Sequence, residues 1–304
     1  MLTVAVYHKS VPPGNKSQEK PLILTNFAQG VARSGDRVID VVGLDAVPAA
    51  VGVIQGWTHE VSERPHLRLR ARSIAQHAWT VAADSNLFLY NNTANPGHYL
   101  RYSFNGIFPT TGIYCDNQID PGRWPKIKRD LNIAVRDYRT NGSHVLLCLQ
   151  RNGGWSMDGL SVVDWALQTI EILRRHTDRP IVIRTHPGDK SSSTYLHRFH
   201  NLHKVIVSDA GRTMQQDLIN CWAVVNYNSS SVVGAAIEGY PVFVTDPARS
   251  QCRDVANIDL TQIEQPQLPD RQPWLDRISM FHWNFAELAS GEAWRHMRRW
   301  ISAQ

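Results

Sequence analysis

The chain has 304 residues, with 32 Lys and Arg against 27 Asp and Glu, and 42% of its residues are hydrophobic. This length and composition exclude a long disordered chain, a collagen and a coiled coil, and they favour two globular domains. The most apolar region is interrupted by Asp40, Asp45 and Pro48, so no membrane span and no membrane partner are predicted. The N-terminus lacks a basic segment followed by a long apolar one, so a cytoplasmic location is expected.

The sequence does not predict a metal or redox centre. Four cysteines are scattered without a Cys-x-x-Cys pair, which is typical of reduced thiols packed in a core. The spacing of His197, His200 and His203 could place them on one helix face, but no carboxylate or cysteine accompanies them at ligand spacing. We therefore expect neither a metal site nor a bound cofactor.

The excess positive charge lies in the first half of the chain. Residues 1–140 hold 16 Lys and Arg against 11 Asp and Glu, whereas residues 141–304 are balanced. Two clusters are candidate nucleic-acid contacts: Arg64, Arg68, Arg70 and Arg72 in one segment, and Lys126, Lys128 and Arg129 in another. Such clusters favour a polyanionic partner such as DNA, although a solvated arginine-rich face accounts for them equally well.

Short apolar runs alternate with helical patterns in the second half, which predicts βαβ units. Strands are predicted at residues 144–150, 180–184, 204–207, 223–227 and 241–244. Helices are predicted at residues 161–175, 191–201, 213–220 and 231–238. The pattern is that of a parallel, doubly wound sheet, in which ligands bind at the carboxyl ends of the strands.

Residues suited to anion binding follow three of these strands. They are Arg151, Gly153 and Gly154 after the first strand, Arg184 and His186 at the end of the second, and Ser229, Ser230 and Ser231 after the fourth. Glycines let a backbone turn present N–H groups, and hydroxyls at a helix start accompany a dipole that attracts anions. Each loop alone also fits a structural role, but together they favour phosphate binding.

Three segments resemble the C-terminal nucleotide-sugar domain of GT-B glycosyltransferases, in the capsule-polysaccharide, Kdo-transferase-like branch. The segments are Arg184-Thr185-His186-Pro187, Asn228-Ser229-Ser230-Ser231 and Glu238-Gly239-Tyr240-Pro241-Val242. The resemblance covers about residues 140–250, and Thr185 stands where the family pattern has proline. More loosely, residues 150–157 and 281–294 are similar to phage-encoded, DNA-modifying glycosyltransferases.

The resemblance implies an α/β fold of the GT-B class, with two Rossmann-like, doubly wound domains that face a cleft. It implies an acceptor-binding domain at residues 1–140, a nucleotide-sugar domain at 141–280, and a C-terminal segment at 281–304 that crosses back to the first domain. That segment contains an amphipathic helix predicted at residues 286–301.

The resemblance also implies roles for the residues that follow the strands. Arg184, His186 and the three serines would hold a diphosphate, and Glu238 would bind ribose hydroxyls. The loop with Arg151, Gly153 and Gly154 would close over the pyrophosphate.

Motifs in the first half are weaker. Strands are predicted near residues 2–7, 38–42, 51–54, 86–90 and 111–114. Asp84 and His59, with Glu60 next to it, are candidates for the base that accepts a proton from an acceptor hydroxyl. Asp84 also fits a turn cap and His59 a loop histidine, and a retaining transfer would need no dedicated base.

The leading hypothesis is a glycosyltransferase that moves a sugar from a nucleoside diphosphate sugar, expected to be a UDP-sugar, to a hydroxyl. The expected acceptor is a hydroxymethylated pyrimidine in phage DNA, which would be flipped out of the duplex. One alternative is transfer to a capsule or cell-surface polysaccharide precursor, and another is a non-catalytic nucleotide- or DNA-binding module. The sequence has no Asp-x-Asp, so metal-independent transfer is predicted, with no obligate protein partner.

Overall fold

The computed structural model describes residues 1–12, 19–58, 62–89 and 94–302. The chain divides into two compact units. The first comprises residues 1–87, 94–132 and 275–304, and the second comprises residues 88–93 and 133–274. The candidate base His59 and its neighbour Glu60 lie outside the described residues.

Strands and helices are labelled in chain order. The strands are β1 (Thr3–Tyr7), β2 (Arg37–Val41), β3 (Val51–Gln55), β4 (Trp79–Asp84), β5 (Leu100–Phe104), β6 (His144–Cys148), β7 (Ile181–Arg184), β8 (Val205–Val207), β9 (Cys221–Asn226), β10 (Val242–Val244) and β11 (His282–Trp283). The α-helices are α1 (Glu19–Arg33), α2 (Pro65–Gln76), α3 (Arg123–Asp130), α4 (Val162–Arg174), α5 (Met214–Leu218), α6 (Ser231–Ile237), α7 (Gln272–Ser279), α8 (Phe285–Ser290) and α9 (Glu292–Ser302). Within the described ranges, none of these helices has the length and apolar character needed to cross a bilayer.

The first unit contains a six-stranded sheet with the order β11-β5-β4-β3-β1-β2. Strands β1 to β4 pair in parallel, and β5 and β11 continue the sheet in antiparallel fashion. Helices α1, α8 and α9 contribute Phe27, Leu288 and Trp294 to the core that covers this sheet. The central strands are apolar on both faces, as expected for a parallel sheet covered on both sides.

Two strand predictions in the first half are wrong. Residues 86–89 form no strand, and the preceding residues form β4 instead. Leu87 and Phe88 are nevertheless buried, which explains why an apolar run at a turn resembles a strand. The strand predicted at 111–114 reduces to one bridge between Phe104 and Ile113.

The second unit contains a five-stranded parallel sheet with the order β10-β9-β6-β7-β8, which confirms the predicted parallel, doubly wound sheet. Its strands lie at the predicted places because each is a short apolar run, and four of them, β6, β7, β9 and β10, are largely buried, whereas β8 at the sheet edge is partly exposed. Cys115, Cys148, Cys221 and Cys252 are all buried, as predicted for cysteines packed in a core. Helix α4 begins at Ser161, whose hydroxyl accepts a hydrogen bond from the Asp164 backbone N–H at 3.3 Å.

Two predicted helices are divided in the structure. Residues 191–201 form two short 3₁₀ turns, Ser192–Thr194 and Leu196–Phe199. The predicted C-terminal helix is split into α8 and α9 at Gly291, whose φ of +83° ends α8 in the left-handed region. Asn284 and Glu287 form the capping box that starts α8.

Gly239 should not tolerate a side chain. Its φ is +85°, and a Cβ there would lie 2.0 Å from the Asp137 carbonyl oxygen. We expect Gly239→Ala to lower the free energy of unfolding by about 1–3 kcal/mol, measured by urea denaturation. Gly159→Ala is the matched control, because Gly159 has a φ of +79° but no heavy atom within 4 Å of the added Cβ. Equal losses for both variants would show that the close contact does not matter.

Candidate functional site

The sheet order of the second unit brings the three anion-friendly loops together. Strand β6 lies between β9 and β7, and all three strands run in parallel. The loops that follow them therefore lie side by side at the carboxyl edge of the sheet. These loops carry Arg151, Gly153 and Gly154 after β6, Thr185 and His186 after β7, and Ser229, Ser230 and Ser231 after β9.

Two buried amides fix the loops after β6, β9 and β10 to one another. The Asn228 backbone N–H donates to Gln150 Oε1 at 2.9 Å, and Gln150 Nε2 donates to Ser156 Oγ at 2.9 Å. Asn228 Nδ2 donates to Asp246 Oδ2 at 2.8 Å. Asn228 belongs to one of the segments that carry the resemblance, but no role was predicted for Asn228 or Gln150.

Asp189 fixes the loop after β7 to the loop after β6. Its carboxylate accepts hydrogen bonds from Tyr195 Oη at 2.6 Å, Ser191 Oγ at 2.7 Å and the Asn152 backbone N–H at 3.2 Å. Burial raises the pKa of Asp189, but the hydrogen bonds from Tyr195 and Ser191 outweigh it, so the net pKa is lowered. Asp189 is therefore an ionised anchor for this edge and was not predicted from the sequence.

One cavity of the second unit, here called the α6 cavity, has a volume of about 360 Å³ and extends along α6 from Ser231, which lies at this edge. It is lined by the predicted residues Ser231 and Glu238 and by apolar side chains that include Met214. The exposed guanidinium of Arg139 lies 4.3 Å above the ring of Tyr240, and both residues line the cavity. Its size and its mixture of apolar, cationic and carboxylate groups suit a small-molecule ligand.

A second cavity of about 230 Å³, here called the β7 cavity, contains His186. His186 Nδ1 accepts a hydrogen bond from the Gly188 backbone N–H at 2.9 Å, so the proton of the neutral ring lies on Nε2. Burial lowers the pKa of His186, the positive charge of Arg151 lowers it further, and Asp189 opposes the shift. His186 is thus a neutral N–H donor near neutral pH.

Arg184 is less available than the sequence predicts, because a buried carboxylate holds it. Arg184 Nη1 lies 2.6 Å from Asp217 Oδ2, and Arg212 Nε lies 2.8 Å from Asp217 Oδ1. The Ser208 hydroxyl also donates to Asp217 at 2.8 Å. Burial raises the pKa of Asp217, but the hydrogen bonds from Arg212, Arg184 and Ser208 lower it more. Arg184 therefore holds Asp217 in place as well as lining the β7 cavity.

Arg151 is the more accessible cation at this edge. It is exposed, and it forms no ion pair with the residues that the structure describes. A Cβ on Gly188 would lie 2.7 Å from Arg151 Nη2, so its guanidinium packs on the loop that carries His186. Ser230 and Ser231 are also exposed, and the hydroxyls of Ser229 and Ser231 are 3.1 Å apart.

The candidate base Asp84 is the last residue of β4 and forms an ion pair with the buried Arg101. Arg101 Nε also donates to Asp84 Oδ2 at 3.1 Å. The sequence analysis did not select His8, which directly follows β1 and whose Nε2 lies 2.7 Å from Asp40 Oδ1. A carboxylate that orients an imidazole is a common arrangement for a general base, so His8 joins Asp84 as a candidate.

The cluster on and before α2 does not form one continuous basic surface. Arg64, Arg68 and Arg72 are exposed, but Arg70 is buried and its Nε donates to the Ser10 carbonyl at 2.9 Å. Burial lowers the pKa of Arg70 to about 10. The assignment of Arg70 as a surface contact for nucleic acid is therefore corrected, because its guanidinium lies in the interior. Arg68 and Arg72 each pair with a nearby carboxylate.

The cluster on α3 is also partly neutralised. Lys126 Nζ lies 2.9 Å from Asp130 and 3.0 Å from Glu287, and it donates to Tyr99 Oη at 2.6 Å. Lys128 and Arg129 are exposed. Only part of each predicted basic cluster is thus open to a polyanion.

Comparison with known proteins identifies the fold. No protein-family model matches the chain, and no curated protein matches it either. The chain has a mixed α/β fold of the GT-B type, with two parallel-rich sheets, as do the solved structures that it resembles, which confirms the predicted fold class. It is similar to two Kdo transferases of KpsC from Thermosulfurimonas dismutans. The β-Kdo 2,4-transferase is 16% identical with a TM-score of 0.51, and 92% of this chain aligns with 89% of that one. The β-Kdo 2,7-transferase is 12% identical with a TM-score of 0.50, over 96% and 98% of the two chains.

Proposed function

We propose that this protein is a glycosyltransferase that binds a nucleoside diphosphate sugar in its second unit and transfers the sugar to an acceptor hydroxyl. A UDP-sugar is the expected donor. The observation that carries the proposal is the meeting of the loops after β9, β6 and β7 beside the α6 cavity, in a fold of the GT-B type.

The diphosphate would be held by groups that donate hydrogen bonds or carry positive charge. These are the Nε2–H of His186, the guanidinium of Arg151, and the hydroxyls of Ser229, Ser230 and Ser231. Fixed donors of this kind stabilise the charge that develops on a departing diphosphate, which is the task a metal performs in other transferases. Arg184 would act mainly as a positioning residue through Asp217.

The α6 cavity would take the nucleoside. Its apolar wall includes Met214 and Leu218, and Arg139 stacked on Tyr240 offers a flat cationic surface. Glu238 lines the same cavity and would accept hydrogen bonds from ribose hydroxyls. Its volume of about 360 Å³ lies within the range of small-ligand sites.

For the acceptor we favour a hydroxyl of a capsule or cell-surface polysaccharide precursor, because the similar structures are Kdo transferases. A hydroxymethylated pyrimidine in DNA is the second candidate. The charge excess of residues 1–140 and the exposed Arg64, Lys128 and Arg129 support it. The burial of Arg70 and the ion pairs of Arg68 and Arg72 reduce that support.

A donor and acceptor panel tests the proposal. The protein would be incubated with UDP-, GDP- and CMP-sugars and either oligosaccharide acceptors, plain DNA or hydroxymethylpyrimidine DNA, and products would be detected by mass spectrometry. We expect a sugar-sized mass increase on one acceptor class, undiminished in the presence of a chelator. Binding of a nucleotide without any transfer or donor hydrolysis would indicate a non-catalytic module and contradict the proposal. Loss of transfer on chelation would contradict metal independence.

His186→Ala should weaken donor binding. Loss of one hydrogen bond to a charged group corresponds to about 1.5–3 kcal/mol, or roughly a 10- to 100-fold weaker Kd. Calorimetric titration with the nucleoside diphosphate measures this change. His200→Ala is the matched control, because His200 is an exposed histidine of the same unit. A folded His186→Ala protein with unchanged affinity would remove His186 from the donor site.

A further inference from the structure

The first unit contains a cavity that the proposed donor site does not use. This cavity, here called the α9 cavity, has a volume of about 480 Å³. It lies between residues 118–120, the start of α3, Trp283 of β11 and one face of α9. Glu292, Arg295 and Arg299 form that face, since residues three and four positions apart are neighbours on a helix.

Two arginines of the cavity have no acidic partner among the residues that the structure describes. Within the described parts of the chain, neither Arg295 nor Arg299 has a carboxylate oxygen within ion-pair distance. Arg295 Nη1 donates to the Ser290 carbonyl at 3.1 Å, and Arg299 Nη2 donates to His296 Nδ1 at 2.9 Å. Each guanidinium has five N–H donors, so most of them are unused by the protein.

His296 fixes the orientation of Arg299. Its Nε2 donates to the Cys115 carbonyl at 2.8 Å, which leaves Nδ1 as the acceptor for Arg299. Burial lowers the pKa of His296, and the charges of Arg299 and Arg123 lower it further. The hydrogen bond to Cys115 raises the pKa, but the net pKa is lowered. The neutral imidazole therefore holds the Arg299 guanidinium at the cavity without adding a charge.

The third arginine of the cavity, Arg123, is 3% exposed. Its Nη1 lies 2.6 Å from Glu287 Oε1, and its guanidinium carbon lies 3.9 Å from the centre of the Trp283 ring. Its Nε is buried and has no hydrogen-bond partner among the described residues. Because this Nε atom is itself buried, it is not a donor that a ligand could reach, and Arg123 contributes positive charge to the wall of the cavity.

We propose that the α9 cavity binds a small sugar that carries an anionic group, either a phosphate or a carboxylate. The arginines match such a group, because a guanidinium donates two parallel hydrogen bonds to an oxyanion. Asp120 and Glu292 also line the cavity and would accept hydrogen bonds from the sugar hydroxyls. A volume of about 480 Å³ is ample for a monosaccharide of this kind.

Calorimetric titration of the full chain tests the proposal with glucose 6-phosphate, glucuronate and uncharged glucose as probes. We expect one or both anionic sugars to bind and glucose to give no saturable signal. Arg299→Gln should weaken the anionic sugar about 10-fold or more, and the Arg295→Gln, Arg299→Gln double variant should abolish binding. Arg37→Gln, which removes an exposed charge at the start of β2, should leave it unchanged.

Two further variants distinguish binding in the α9 cavity from binding at the donor site and from a loss of folding. His186→Ala should bind the anionic sugar normally, because His186 belongs to the second unit. Arg299→Lys retains the positive charge without the planar guanidinium and should bind the anionic sugar with intermediate affinity. Such partial binding would show that the weaker binding of Arg299→Gln does not come from a folding defect. Preference for glucose 6-phosphate or for glucuronate would identify the anionic group. Failure of both anions to bind, or unchanged binding by the double variant, would overturn the proposal.

Discussion

Replacing Asp217 by asparagine is expected to lower the free energy of unfolding by about 3 kcal/mol. The Asp217 side chain is buried and is the shared carboxylate for Arg184 and Arg212. The substitution keeps the shape of the side chain but removes its charge, which leaves the partly buried Arg184 without its counter-ion. Removing one member of a buried ion pair costs more than an exposed pair contributes, because the remaining charge stays desolvated.

Urea denaturation measures this loss as a shift of the midpoint at an unchanged slope. Asp209→Asn is the matched control, because Asp209 is exposed and its carboxylate accepts only a local hydrogen bond from the Gly211 N–H at 2.9 Å. This control should change stability by less than about 0.5 kcal/mol. Equal effects of the two substitutions would show that the Arg184–Asp217–Arg212 cluster does not contribute to stability.

Arg184→Ala separates a positioning role from direct donor binding. In that variant Asp217 would keep its hydrogen bonds to Arg212 and Ser208, so we expect a smaller loss of stability than for Asp217→Asn. Donor affinity should fall less than in His186→Ala, because Arg184 is already engaged by Asp217. A loss of donor affinity equal to that of His186→Ala, at unchanged stability, would instead assign Arg184 to the diphosphate.

The second unit was largely predictable because its strands are short apolar runs followed closely by polar residues. That pattern is local, so the sequence places His186 and Ser229 at strand ends and correctly predicts a parallel sheet. The split of the C-terminal helix was also visible locally at Gly291, and the capping pair Asn284 and Glu287 marks the start of its first part.

The features that were missed depend on residues far apart in the chain. Arg70 belongs to an arginine cluster that the sequence predicts to be exposed. In the structure it is buried, and its Nε donates a hydrogen bond to the carbonyl of Ser10, sixty residues away. Arg184 looks like an available cation until the fold places Asp217 beside it. Strand β5 was not predicted, although Leu100, Tyr102 and Phe104 alternate with Arg101 and Ser103 as in a strand with one apolar face. What the sequence does not show is that Arg101 is buried and pairs with Asp84 on the neighbouring strand.

The stability of the first unit should fall as the pH is lowered below about 6.5, because His282 is buried as a neutral ring. His282 is 0% exposed. Its Nδ1 donates to the Ile278 carbonyl at 2.7 Å, and its Nε2 accepts from the Leu87 N–H at 3.1 Å. Burial lowers the pKa of His282 to about 3, the charges of Arg101 and Arg123 add to the effect, and the hydrogen bond to Ile278 opposes it.

The loss of stability in acid follows from the different numbers of protons that the folded and unfolded chains bind. Between about pH 6.5 and the folded-state pKa, the unfolded chain binds a proton at His282 that the folded chain does not, so acid favours unfolding by about 1.4 kcal/mol per pH unit. His282→Gln keeps an amide donor and acceptor but does not titrate. In urea denaturation from about pH 7 to pH 4.5, the wild type should therefore lose stability relative to this variant by that amount per unit below about pH 6.5, with little change above it. A stability difference that stays constant across this range would mean that His282 is protonated equally in the folded and unfolded chains.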